Sequence, residues 1–203
     1  ENIEHNSMKV QSLRLCNIQN LGGSSSGVGG ILSAWRHLRE LSIVEELKPG
    51  SAENFFNQIF EAASVLPLLK SFSWTSSNLP VGALDPLKEF PQALGKFLMA
   101  SARSLTSLNL SENALPSKVM GIIAETVGRP ASKLKSLLLA EAFESHRLGK
   151  DKLRQFNTFD DADVLAFSQA CERTSSLRVL DMSCRNGARF QFTKEQSQFI
   201  GRA

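Results

Sequence analysis

The sequence predicts an α/β fold: a solenoid of about six strand–turn–helix units within a single domain, residues 1–203. Three observations carry this. The stretch LTSLNLSENAL, Leu105 to Leu115, sets leucines at relative positions 1, 4, 6 and 11 and an asparagine at 9. The same spacing recurs as VQSLRLCNI from Val10, LRELSIVEE from Leu38, LKSFSWTSSNL from Leu69, LKSLLLAEA from Leu134 and LRVLDMSCR from Leu177. Between the copies, the apolar period changes from two to that of a helix.

The fourth positions are Leu13, Leu41, Phe72, Leu108, Leu137 and Leu180, at intervals of 28, 31, 36, 29 and 43 residues. Constant internal spacing with variable intervals is what a stack of units with loop insertions produces. Within a copy, apolar residues at 4 and 6 alternate with more polar ones at 3, 5 and 7, as in a short strand with one buried face. The residue at 1 approaches the same core. Position 9 lies where the chain turns away, and an asparagine there can satisfy backbone groups of the turn. It is asparagine only at Asn113; the others are Ile18, Glu46, Ser77, Ala142 and Arg185. The first copy also admits a one-residue shift of register.

Four helical stretches follow. AENFFNQIFEAASVL gathers Phe55, Ile59, Phe60 and Ala63 on one side. DPLKEFPQALGKFLMASA gathers Leu87, Phe90, Leu94, Phe97 and Leu98, with Pro91 marking either the helix start or a kink. PSKVMGIIAETV opens on Pro116 and Ser117, a suitable helix beginning. TFDDADVLAFSQACERT has Thr158 and Asp161 at capping-box spacing, then Val164, Leu165, Phe167, Ala170 and Cys171 as candidates for burial.

Composition is that of an ordinary soluble domain, with 42% hydrophobic residues and a net charge of +3, too small to argue for nucleic acid. Cys16, Cys171 and Cys184 lack paired spacing, so neither a disulfide framework nor a zinc site is expected, and a reducing, cytoplasmic setting is the simpler expectation. No uncharged apolar run reaches membrane-spanning length. The glycine-rich GGSSSGVGG, Gly22 to Gly30, lacks the lysine of a phosphate loop and reads as a connection. His5, His37 and His146 have no metal-ligand spacing. Asp160, Asp161 and Asp163 read better as complements to a helix dipole than as a cation site. The sequon Asn109–Ser111 falls on a strand, where chance explains it. No nucleophile–base–orienter set is present, so no enzyme activity, cofactor or metal is expected.

The opening stretch and its five copies resemble the leucine-rich repeat proteins, specifically the ribonuclease-inhibitor-like subclass that alternates a strand with a full helix. That resemblance implies a horseshoe with parallel strands inside and helices outside. It implies a non-enzymatic role in binding another protein, with no nucleic acid and no membrane insertion. The irregular repeats are similar to those of pathogen effectors, which act in the host-cell cytosol. They are similar too to the sensing arms of innate-immune receptors and to substrate-recognition segments of ubiquitin ligases. Neither end shows a polar cap over the terminal core, so a longer protein is expected.

The alignment also nominates a surface. Positions 3, 5, 7 and 8 should face the inner side, which carries Arg14, Ser42, Ser73, Ser107 and Asn109, with acids Glu112, Glu141 and Asp181 toward its edge. Small side chains there suit either a groove that admits a partner closely or simple relief of crowding. The 43-residue interval holds a second candidate, the basic insertion with Arg147, Lys150, Lys152 and Arg154, whose bland reading is a solvated loop.

Overall fold

A computed structural model describes residues 9–16, 32, 35–45, 52–76, 90–113, 115, 117–140 and 161–182. Ten elements lie in these segments. They are β1 (Ser12–Cys16), β2 (Glu40–Glu45), α1 (Ala52–Ser64), β3 (Ser71–Ser76), α2 (Phe90–Ser101), β4 (Ser107–Asn109), α3 (Ser117–Val127), β5 (Ser136–Leu138), α4 (Asp161–Arg173) and β6 (Val179–Asp181). The six strands form one parallel sheet in sequence order. Each described helix packs against the next, α1 on α2, α2 on α3 and α3 on α4.

The register matches the sequence spacing position for position. Leu13 pairs with Leu41, Leu41 with Phe72, Phe72 with Leu108, Leu108 with Leu137 and Leu137 with Leu180. This places the first copy without the one-residue shift. A main-chain motif repeats just before each strand. The carbonyl at position 2 accepts two consecutive N–H groups of the next unit: Gln11 from Arg39 and Glu40, Arg39 from Lys70 and Ser71, Lys70 from Thr106 and Ser107, Thr106 from Lys135 and Ser136, and Lys135 from Arg178 and Val179, all at 2.7–3.1 Å. The Thr106 hydroxyl adds a third bond to the Lys70 carbonyl, at 3.0 Å.

Alternation separates the two faces of the sheet. Leu41, Ile43, Phe72, Trp74, Leu108, Leu110, Leu137 and Leu139 are buried, and they join the helices' apolar faces in one core. Its centre is aromatic. Phe60 of α1 packs on Phe72, Trp74, Phe90 and Phe97 at centroid distances of 5.6–6.4 Å, and Phe72 meets Phe97 at 4.8 Å. Such tilted and edge-on pairs contribute about 0.5–1.5 kcal/mol each beyond area burial. Where α3 ends against α4, a side chain at Gly128 would come within 3.1 Å of the Ala170 backbone. Glycine and alanine there let the two helices close.

Some expectations change. Leu13, Leu15, Leu180 and Met182 are half-buried rather than enclosed; among the described residues β1 and β6 each have a strand neighbour on one side only. Leu165 is 49% exposed and leaves the core to Val164, Phe167 and Ala170. Pro91 is the second residue of α2, so it marks the helix start, where its missing N–H has no intrahelical acceptor to lose. Leu87 and Thr158 lie outside the described residues, as does the side chain of Phe55.

Burial predicts a sharp contrast between neighbours in β4. Leu108→Ala should lower unfolding free energy by about 2–5 kcal/mol through lost burial and a cavity. Ser107→Ala should change it by no more than about 0.5 kcal/mol. Urea denaturation of the two variants measures this; equal losses would contradict the assigned faces.

Candidate binding surface

The face opposite the core is built from two rows of directly paired residues. One row is Ser12, Glu40, Ser71, Ser107, Ser136 and Val179; the other is Arg14, Ser42, Ser73, Asn109, Leu138 and Asp181. All twelve are partly or fully exposed. All-parallel sheets usually carry cover on both faces. Here the core-facing side is buried on the four central strands, β2 to β5, while this one stays accessible along all six. The structure therefore brings Arg14, Ser42, Ser73, Ser107 and Asn109 onto one surface, with Asp181 at its far end. Glu141 and the insertion residues Arg147, Lys150, Lys152 and Arg154 lie outside the described residues, together with the glycine-rich stretch, His5, His146, Asp160 and Cys184.

Glu112 stands in the turn after β4, and this turn is the most specified part of the surface. Pairing with the next unit continues past the strand: Leu110 N–H reaches the Leu138 carbonyl at 2.9 Å and Glu112 N–H reaches Ala140 at 3.1 Å. Glu112 itself has φ of 66°, a left-handed conformation that a side chain with Cβ adopts at a cost. Two asparagines fix the turn around it. The Asn109 Oδ1 accepts the Ser111 N–H at 3.0 Å. Asn113, fully buried, donates from Nδ2 to the Trp74 carbonyl of the preceding unit at 2.6 Å and to Ser111 O at 3.1 Å. The asparagine at position 9 thus ties its own turn to the strand before it. The other position 9 residues, Ile18, Glu46, Ser77, Ala142 and Arg185, lie outside the described residues.

Groups that chemistry would use are scattered. His37 is exposed in a turn. Cys16 is exposed on β1, whereas burial pushes the Cys171 thiol up on α4. Asp163 is buried in the first turn of α4 and has a polar or electrostatic partner. Among the described residues, no group of three or more His, Cys, Asp or Glu could hold a metal ion, and no helix is long and apolar enough to cross a membrane. A void of about 10 Å³ between the fourth and fifth units, lined by Leu98, Leu105, Leu108, Ile123 and Leu134, has room for one water at most.

Position 2 forms a further column that alternation across the strand does not single out. That column is Gln11, Arg39, Lys70, Thr106, Lys135 and Arg178, and all but the partly exposed Thr106 are exposed. It shows in the sequence only when the copies are stacked by position.

No family model matches the chain, and no curated protein matches it.

Adjacent residues of the β4 turn should respond oppositely to substitution. Asn113→Ala removes both amide donors, one of them from the buried Trp74 carbonyl, and should cost about 1–3 kcal/mol. Glu112→Gly relieves the left-handed backbone and should leave stability within about 1 kcal/mol of the parent, or raise it. Thermal unfolding of both variants checks this, and a comparable loss at Glu112 would show that its side chain, not its backbone, matters to the fold.

Proposed function

We propose that this chain is a non-enzymatic protein-interaction module built as a leucine-rich-repeat solenoid of the ribonuclease-inhibitor-like kind. The observation that supports this reading is the unbroken partner row from Arg14 to Asp181, held in register by five copies of one forked main-chain motif. Such a row offers a rigid, extended surface whose side chains are already ordered by the backbone. Ordering in advance lowers the entropy cost of association. The small side chains at Ser42, Ser73, Ser107 and Ser136 leave room for close approach, so recognition rests on shape fit more than on anchoring aromatics.

The test is affinity capture from cell lysate followed by variants of the bait. Ser73→Arg with Ser107→Arg should fold with unchanged melting temperature and reduce the retained partner by about tenfold or more, equivalent to about 1.4 kcal/mol. Replacing Arg147, Lys150, Lys152 and Arg154 by alanine should leave retention unchanged. The opposite pattern would move the binding surface to the insertion. Nothing retained above an unrelated control protein would overturn the interaction-module reading itself.

A further inference from the structure

The sheet is electrically lopsided. Its leading edge, where the strands begin, comprises positions −1 to 3 of each unit. Among the described residues this edge carries Lys9, Arg36, Arg39, Lys70, Arg103, Lys133, Lys135 and Arg178, against a single acid, Glu40. All eight cations are exposed, and none makes an ion pair among the described residues. At the trailing edge the described residues tip the other way, with Glu112 and Asp181 against Arg14.

Fold stability does not explain this arrangement. Cations favour helix C-termini, but that effect fades within the last turn. Lys70, Lys135 and Arg178 stand five to eight residues beyond the ends of α1, α3 and α4. Arg39 and Lys70 immediately precede neighbouring strands, as do Lys135 and Arg178, and neighbouring strands lie about 4.8 Å apart. Like charges opposed in this way are destabilising. A counter-charge supplied from outside removes that cost.

Resting on the interaction-module reading above, we infer that the leading edge is a docking strip for an acidic amphipathic helix of a partner protein. Across six strands the strip runs about 24 Å, the length of about 16 helical residues. Acidic side chains on one stripe of a helix recur about every 5.4 Å, close to the strand step, and flexible lysine and arginine stems absorb the difference. Val65 and Leu68, 60% and 38% exposed in the return before Lys70, give such a helix apolar contact beside the charge. A nucleic-acid strand fits less well. It is usually held by stacking on exposed aromatics, whereas among the described residues Phe60, Phe72, Trp74, Phe90, Phe97 and Phe167 are buried and Trp35 is partly buried against the core.

The experiment uses the full chain and a fluorescent synthetic peptide of about 18 residues, with glutamates on one helical stripe flanked by leucines, read by anisotropy. Lys70→Glu with Lys135→Glu should weaken binding by about tenfold or more; Lys96→Glu with Lys118→Glu, the same charge change on the outer helices, should alter it less than about twofold. Raising salt from low to several hundred millimolar should weaken it further as the screening length shortens. Equal losses in the two double variants would overturn the strip, leaving only bulk charge. Tighter binding of a thymidine oligonucleotide, itself lost on Lys70→Glu with Lys135→Glu, would overturn the choice of a protein partner. Loss of the captured cellular partner on Ser73→Arg with Ser107→Arg, with no peptide binding at the strip, would remove this inference and leave the interaction-module reading standing.

Discussion

Everything in this fold hangs on the fork at which one unit meets the next. A single carbonyl receives two consecutive N–H groups from the following unit, and this happens at Gln11, Arg39, Lys70, Thr106 and Lys135. The fork fixes register before the strand begins. A slip by one residue would turn every side chain of a strand to the wrong face, so the fork and the alternating burial reinforce each other. Once register is fixed, equivalent residues stack in columns. The apolar column at position 4 becomes core, the serine-rich column at position 3 becomes an open face, and the cationic column at position 2 becomes an edge.

Columns convert weak sequence features into surface properties. One lysine on a domain surface has little consequence, but lysines and arginines repeated on neighbouring strands make a local field. That field carries a destabilising cost that the aromatic core around Phe60 offsets. Asn113 is the opposite case: one buried side chain, present once, that ties a turn to the carbonyl of Trp74 thirty-nine residues earlier. Its fully enclosed amide leaves no alternative partner in water, so the bond is obligatory in a way that exposed polar contacts are not.

Much of this was legible in the sequence because the period of a strand and that of a helix differ. Leu108, Leu110, Leu137 and Leu139 declared their face by alternation, and Phe90, Leu94, Phe97 and Leu98 theirs by helical spacing. Edges were less legible. The pattern at Leu13 or Leu180 is the same as at Leu108; their burial differs with their place at the ends of the described sheet. Leu165 misled for a related reason, since a helix shows its apolar stripe in sequence but not the width of stripe that its neighbours cover. The left-handed backbone at Glu112 was invisible, because glutamate is not a residue that marks such turns. On the candidate surface, the row from Arg14 to Asp181 followed from the alignment, whereas the cation column required comparing units rather than reading along one strand.

Native-state hydrogen exchange, resolved by residue, tests the fork most directly. In an ordinary parallel strand, successive N–H groups point to opposite sides. The fork instead requires both members of each pair to be protected: Arg39 and Glu40, Lys70 and Ser71, Thr106 and Ser107, Lys135 and Ser136, and Arg178 and Val179. The account predicts slow exchange at both amides of every pair, slowest at the three central ones, where opening exposes the most core. Exchange at the rate of an unstructured chain in any central pair, or protection of only one amide in each, would contradict it.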